Sequence, residues 1–232
     1  MVKNQITNKF QRTMLNVWKL MIEYYLGFGL LLFGFLVMGC GKNSGRGQEW
    51  SLQDSIRIVN EIVAHRQSAE SFFRDHPESP FNQDTSAHFT GILWFAPDIH
   101  FCFQSKLFRY SQPERVTILG TKGDERTYLK YGYFTINYGG DEYKLTVYKE
   151  IGAGNHLSVW FTDETTGKET YEVGRYVDVE AEHSDPDYLY TIDFNKAYNP
   201  YCAYSARYSC AVPRREDHLE FAVTAGERKY HP

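Results

Sequence analysis

Arg175 lies in the segment ETYEVGRY, with Tyr171 shortly before it and Asp163 ahead of the turn composition Thr165-Thr166-Gly167-Lys168. A second block, IDFNKAYNPYCAY, supplies Asp193, Asn195, Tyr198, Asn199 and Tyr204. Folded together, these residues offer a guanidinium fork, hydroxyls, amides and one or two carboxylates. An Arg fork with Tyr and Asn donors suits a carboxylate, a phosphate or a sugar. Placed at the mouth of a β structure, such a group forms a small-ligand site. The leading expectation is therefore binding of a small polar or anionic ligand around Arg175. Two alternatives from other classes stand beside it. One is a hydrolase with Asp163 or Asp193 as general base. The other is an envelope interaction module with an exposed aromatic patch. A purely structural role competes with all three. Asp and Asn satisfy loop backbone groups, Asn199-Pro200 is a turn signal, and an Arg175–Asp193 pair would tie a strand to a loop.

Four cysteines remain to be placed. Cys202 and Cys210 are close in sequence, and a bridge between them would stabilise by about 2.6 kcal/mol on the chain-entropy model. A disulfide is expected here if the protein is exported. The Cys-x-x-Cys spacing of redox motifs is missing. Cys102, in an alternating stretch, reads as a small buried hydrophobe. The sequence has no HExxH, GxSxG, Walker loop or paired-cysteine zinc spacing, and its histidines are scattered. A calcium site from Asp163, Asp193 and Asn195 lacks a loop signature. No metal or cofactor is implied.

The positioning elements follow from the wider pattern. The chain has 232 residues, 25 basic against 29 acidic side chains, 42% hydrophobic and 16% aromatic residues. That composition is globular and gives no general attraction to nucleic acid. The charge is uneven. Lys3, Lys9, Arg12 and Lys19 face Glu23 alone before residue 40, a net of +3, which leaves −7 for the remainder of a −4 chain. An uncharged run of sixteen residues, Tyr24 to Gly39, ends at Cys40. It is short for a membrane span, which needs about 20 residues, and suits a signal-peptide core. LVMGC resembles the lipobox of bacterial lipoproteins, with Val37 and Gly39 in place and Met38 less usual. Residues 1–39 are thus expected to be a removable signal peptide starting at Met1, Met14 or Met21. Cys40 is expected to be acylated and held in the lipid bilayer, with 40–50 as a flexible tether. The location implied is the bacterial cell envelope, on the outer membrane where the envelope has one.

Residues 51–232 read as one helix-plus-β domain. Ser51 with Asp54 marks a helix start, and Leu52, Ile56, Val59, Ile62 and Val63 read as one apolar stripe packed on the domain. Phe72 and Phe73 continue it to His76-Pro77. From His88 the rhythm changes to two. Strands are expected at 99–106, 116–119, 126–138, 142–149, 157–162, 171–179, 188–194 and 219–223, with Gly139-Gly140 turning a hairpin. Short separations without long helices predict a mainly β fold, an antiparallel sandwich or partly open barrel with one N-terminal amphipathic helix.

WFTDETTGKETYEVGRY, IDFNKAYNPYCAYSARYSC and LEFAVTAGE, in this order, resemble the uncharacterised prokaryotic family called domain of unknown function 1684. FFRDHPESPF and FTGILWF extend the resemblance to roughly residues 55–228. It implies an extracytoplasmic or membrane-attached domain and no established reaction. Ala211, Arg214 and Asp217 depart from the family's proline-rich stretch and asparagine, with Pro213 kept.

Overall fold

The structure, a computed structural model, describes residues 49–84, 86–151 and 156–230. The expected signal peptide, the acylated Cys40 and nearly all of the tether lie outside the described residues. No helix among the described residues is long and apolar enough to cross a membrane.

Helix α1 (Leu52–Asp75) begins as the sequence implies, with the Ser51 side chain accepting from the Asp54 N–H. It ends at His76, extended ahead of Pro77. Of the expected stripe only Ile62 and the continuing Phe73 are buried, and Ile58, outside it, joins them. Leu52 and Ile56 are 78% and 55% exposed, and Val59 and Val63 also face outward. The helix has two apolar faces. Ile58 and Ile62 pack beside Cys102, Ile99 and Trp50. Phe73 joins Phe81 of α2 (Pro80–Gln83), Ile92, Tyr204 and Tyr230 in an aromatic cluster.

Eight strands follow among the described residues. A sheet of five consecutive antiparallel strands contains β2 (Phe108–Leu119), β3 (Glu125–Tyr138), β4 (Asp141–Glu150), β5 (Leu157–Asp163) and β6 (Arg175–Val179). The short β8 (His218–Leu219) pairs with β5 in parallel. A second sheet joins β1 (Cys102–Lys106) to β7 (Leu189–Asp193), antiparallel. The two sheets share one core, with Phe103 and Ile192 on one side and Phe134, Leu145, Val159 and Val177 on the other. The larger sheet does not close into a barrel, so the mainly β, antiparallel expectation holds in its sandwich form.

Three expected strands are clearly shorter than the sequence implies, the first because Ile99–Phe101 form a 3-10 turn ahead of β1. Residues 171–174 form a turn, and Gly174, at φ +113°, lies against the Phe161 carbonyl where a Cβ would collide. Residues 220–225 leave the sheet and cross the core as irregular chain, with Val223 and Ala225 fully buried.

Candidate functional site

Alternation along β5 and β6 decides where the charged residues go. Val159, Phe161 and Asp163 share the inner face, and in register with them stand Val177 and Arg175, with Phe161 opposite Arg175. Arg175 is thus carried into the core and is wholly buried. Its guanidinium donates to Asp163 Oδ2 at 3.0 Å, to the Val223 carbonyl at 2.8 Å, to Ala225 at 2.5 Å and to Glu227 at 3.1 Å. Asp163 Oδ1 accepts from the Thr165 N–H and hydroxyl and from the Val223 N–H. These bonds give the strandless 220–227 segment its polar partners inside the core. Gly226, at φ +79°, allows the close approach to the Ala197 and Phe194 carbonyls that brings the segment there.

The expected open fork around Arg175 is therefore replaced by an internal clamp. The guanidinium is spent on Asp163, not Asp193, and on backbone carbonyls. The other residues grouped with it fall at separate places. Asp193 and Asn195 form a loop lock. Asp193 caps the 3-10 turn Phe194–Lys196, and Asn195 bonds the Asp98 backbone in both directions. Burial pushes the Asp193 carboxyl up despite these bonds. Asn199 and Tyr204 meet at Glu227: the Asn199 N–H donates to Glu227 Oε2 at 2.8 Å, and the Tyr204 hydroxyl donates to the same oxygen. Tyr198 donates to Asp178 at 3.0 Å, and Tyr171 points its hydroxyl at Cys202 Sγ, 3.7 Å away.

Cys202 and Cys210 are free thiols, so the expected bridge is not formed. The Cys202 N–H donates to Cys210 Sγ at 3.3 Å. Cys102 is buried as expected, and burial raises its thiol to about 12.

The largest cavity described, about 650 Å³, is a groove between α1 and the tyrosine-rich loop after β7. Phe72 and Phe73 of α1 form one wall, and Tyr176, Tyr198, Tyr201 and Tyr208 form the other. His65, Asp178, Glu227 and Cys210 bring polar atoms to it. Burial and the positive charges of Lys196 and Arg66 hold His65 below its ordinary value. Glu227 is completely buried, and desolvation lifts its carboxyl to about 7 against the opposing bonds from Tyr204 and Asn199. No lysine or arginine is among the described residues lining the groove.

Tyr198 is the one residue from the expected site that lines this groove. Phe72, Tyr176, Tyr201, Tyr208 and Glu227 are not marked as a site by any spacing in the sequence. Tyr176 belongs to the outer face of β6, where it packs with Trp160 and Tyr148; the latter two stack at 4.6 Å. Two departures noted in the sequence also sit here. Ala211 is buried in that cluster. Asp217 caps the 3-10 turn Arg215–Asp217 and accepts from the Tyr148 hydroxyl at 2.8 Å.

The comparisons agree with this architecture. The solution NMR structure of an uncharacterised protein from Haloarcula marismortui is 33% identical, with a TM-score of 0.58, covering 76% of this chain and 96% of that one. No curated protein matches the chain. The family described as "Protein of unknown function (DUF1684)" matches residues 87–228, more than half of the chain. With that match, and a solved relative of the same fold a third identical over most of both chains, the chain belongs to the DUF1684 family.

Proposed function

We propose that this protein is a lipoprotein anchored in the cell envelope through Cys40, whose domain binds a small neutral ring-bearing molecule of the carbohydrate class. The observation that carries the ligand reading is the groove of about 650 Å³ with four tyrosine rings on one wall and the Asp178 carboxylate at its polar edge. Aromatic faces stack on the apolar face of a sugar ring, while carboxylates and hydroxyls accept its O–H groups. The groove lining holds no lysine or arginine for an anionic ligand, and Arg175, the cation expected to attract one, is committed elsewhere. Neither Asp163 nor Asp193 lines the groove, which leaves the hydrolase reading without its base there.

Anchoring rests on the basic leader, the sixteen-residue apolar run and Cys40. Mass spectrometry of the mature chain from a bacterial host is expected to find an acylated Cys40 as its first residue. An unmodified Cys40 in an intact leader contradicts the anchor.

Binding is tested by titrating neutral mono- and oligosaccharides into the protein while following thermal unfolding. Saturation at about 100 times Kd stabilises by about 2.7 kcal/mol. Tyr201→Ala and Phe72→Ala should abolish that gain while the protein stays folded. Equal stabilisation in the variants, or none with any saccharide, contradicts the groove reading.

The exposed stripe of Leu52, Ile56, Val59 and Val63 favours a second reading, an interaction module. It lies on the first half of α1, directly after the expected tether.

A further inference from the structure

We infer that a second cavity, of about 300 Å³ and lined by Leu93, Lys168, Glu169, Arg228 and Lys229, is a binding site for a phosphate monoester. The inference is independent of the sugar-binding reading and shares no residue with the groove. Glu227 lines the groove and the next residue, Arg228, lines this cavity, so the chain at this point separates the two. Three cations against one carboxylate leave the cavity lining at +2, on a chain whose net charge is −4. A phosphate monoester, with a second pKa of about 6, carries close to two negative charges above neutral pH and matches that lining. A carboxylate or a phosphodiester carries one charge and matches it less well.

Backbone bonds bring the three contributing segments together. The Arg228 N–H donates to the Leu93 carbonyl at 2.7 Å, and the Lys229 N–H donates to the Glu169 carbonyl at 3.0 Å. The turn that carries Lys168 is closed on the Thr165 carbonyl, which accepts from the Lys168, Glu169 and Thr170 N–H groups. Gly167, at φ +77°, supplies its left-handed residue. The Lys229 amine donates to the Gly167 carbonyl at 3.2 Å, which places this ammonium at the turn with two more protons to give. The cations are not spent on the cavity's own acid: among the described residues, Glu169 forms no ion pair with Lys168, Arg228 or Lys229. The Arg228 guanidinium sits over the Phe95 ring, 5.5 Å from its centroid, and has no hydrogen bond or ion pair among the described residues. Its N–H fork is therefore open to a bidentate phosphate partner. Lys168 reaches Glu164 at 3.9 Å, but that pair is 73% and 51% exposed and screened by water. Leu93, 51% exposed, offers an apolar contact to the organic part of the ester.

The test uses the full chain, isotopically labelled and held in a neutral detergent, at about pH 8 and fixed ionic strength, with methyl phosphate as the probe. Saturable amide shifts are expected at Gly167, Lys168, Glu169, Arg228 and Lys229, with Tyr201 and Tyr208 of the groove unmoved. Arg228→Gln should raise Kd by about tenfold, and because Arg228 is exposed the variant stays folded. Glu169→Gln should lower Kd, since it removes a like charge from beside the phosphate. Dimethyl phosphate, a singly charged diester like a phospholipid headgroup, and acetate should each bind about tenfold more weakly than methyl phosphate. Equal binding of dimethyl phosphate assigns the cavity to a lipid headgroup and overturns the monoester. Equal binding of acetate overturns it too, because the cavity then takes any small anion. The proposal also fails if methyl phosphate gives no saturable shift, or if Arg228→Gln leaves Kd unchanged.

Discussion

Replacing Arg175 with Met should destabilise the domain by about 3–5 kcal/mol, because it leaves the Asp163 carboxylate buried without its cation. The residue is wholly buried, and its ion pair with Asp163 is 1% exposed on both sides. It is also the donor to three carbonyls of the 223–227 segment, whose other backbone ties are few, chiefly the Trp94–Glu227 bridge and the Phe95 N–H to Gly226. A loss of this size is a third or more of the usual 5–15 kcal/mol of a folded domain. Urea unfolding of Arg175→Met measures it directly. The double variant Asp163→Asn/Arg175→Met should recover part of the loss, since the stranded charge goes with the cation. A cost under about 1 kcal/mol in the single variant would show that the clamp does not hold the C-terminal segment.

The second large effect is on pH dependence, and Glu227 is its source. Its carboxyl titrates near 7 in the folded protein, above the ordinary 4.5 it regains on unfolding. Between those values the folded state holds a proton that the unfolded state has released. Stability is therefore full below about pH 4.5 and falls as pH rises through 7, by on the order of 3 kcal/mol. Glu227→Gln keeps an oxygen to accept from the Asn199 N–H and the Tyr204 hydroxyl and removes the titration. Asp193 and Asp217 are also raised by burial, so the prediction is read from wild type minus variant. That difference, from urea unfolding across pH 4 to 8, should slope downward with pH. A flat difference would mean that Glu227 is charged in the folded protein throughout.

Much of the fold was legible because it rests on local rules. The Ser51 cap, the stop before Pro77, the 139–140 turn and the strand rhythm of 126–149 need only neighbouring residues. Which face of α1 meets the core does not follow from periodicity. Ile62 is shared by the exposed stripe of Leu52, Ile56, Val59 and Val63 and by the buried pair it makes with Ile58, and only the partners Cys102 and Ile99 select between them. The role of Arg175 was nearly legible. The period that buries Val177 and Val179 buries Arg175 too, so a binding fork at that position conflicts with the strand it starts. The groove was not legible. Its rings come from α1, β6 and the loop after β7, residues distant in sequence and individually ordinary as strand and loop tyrosines. Cys202 and Cys210 were visible as a pair. The Tyr171 hydroxyl at Cys202 Sγ and the Thr121 hydroxyl that accepts from the Cys210 N–H, supplied from distant segments, were not.

The central claim is that ligand is taken in the groove between α1 and the tyrosine-rich loop, and not at the Arg175 clamp. Chemical-shift mapping of the isotopically labelled protein during a neutral oligosaccharide titration tests this most directly. Saturable shifts are expected only at Phe72, Tyr176, Tyr198, Tyr201, Tyr208 and their neighbours, with Arg175 and Asp163 unmoved. Shifts centred on Arg175, Asp163 and the 223–227 segment, with the groove tyrosines silent, would contradict it.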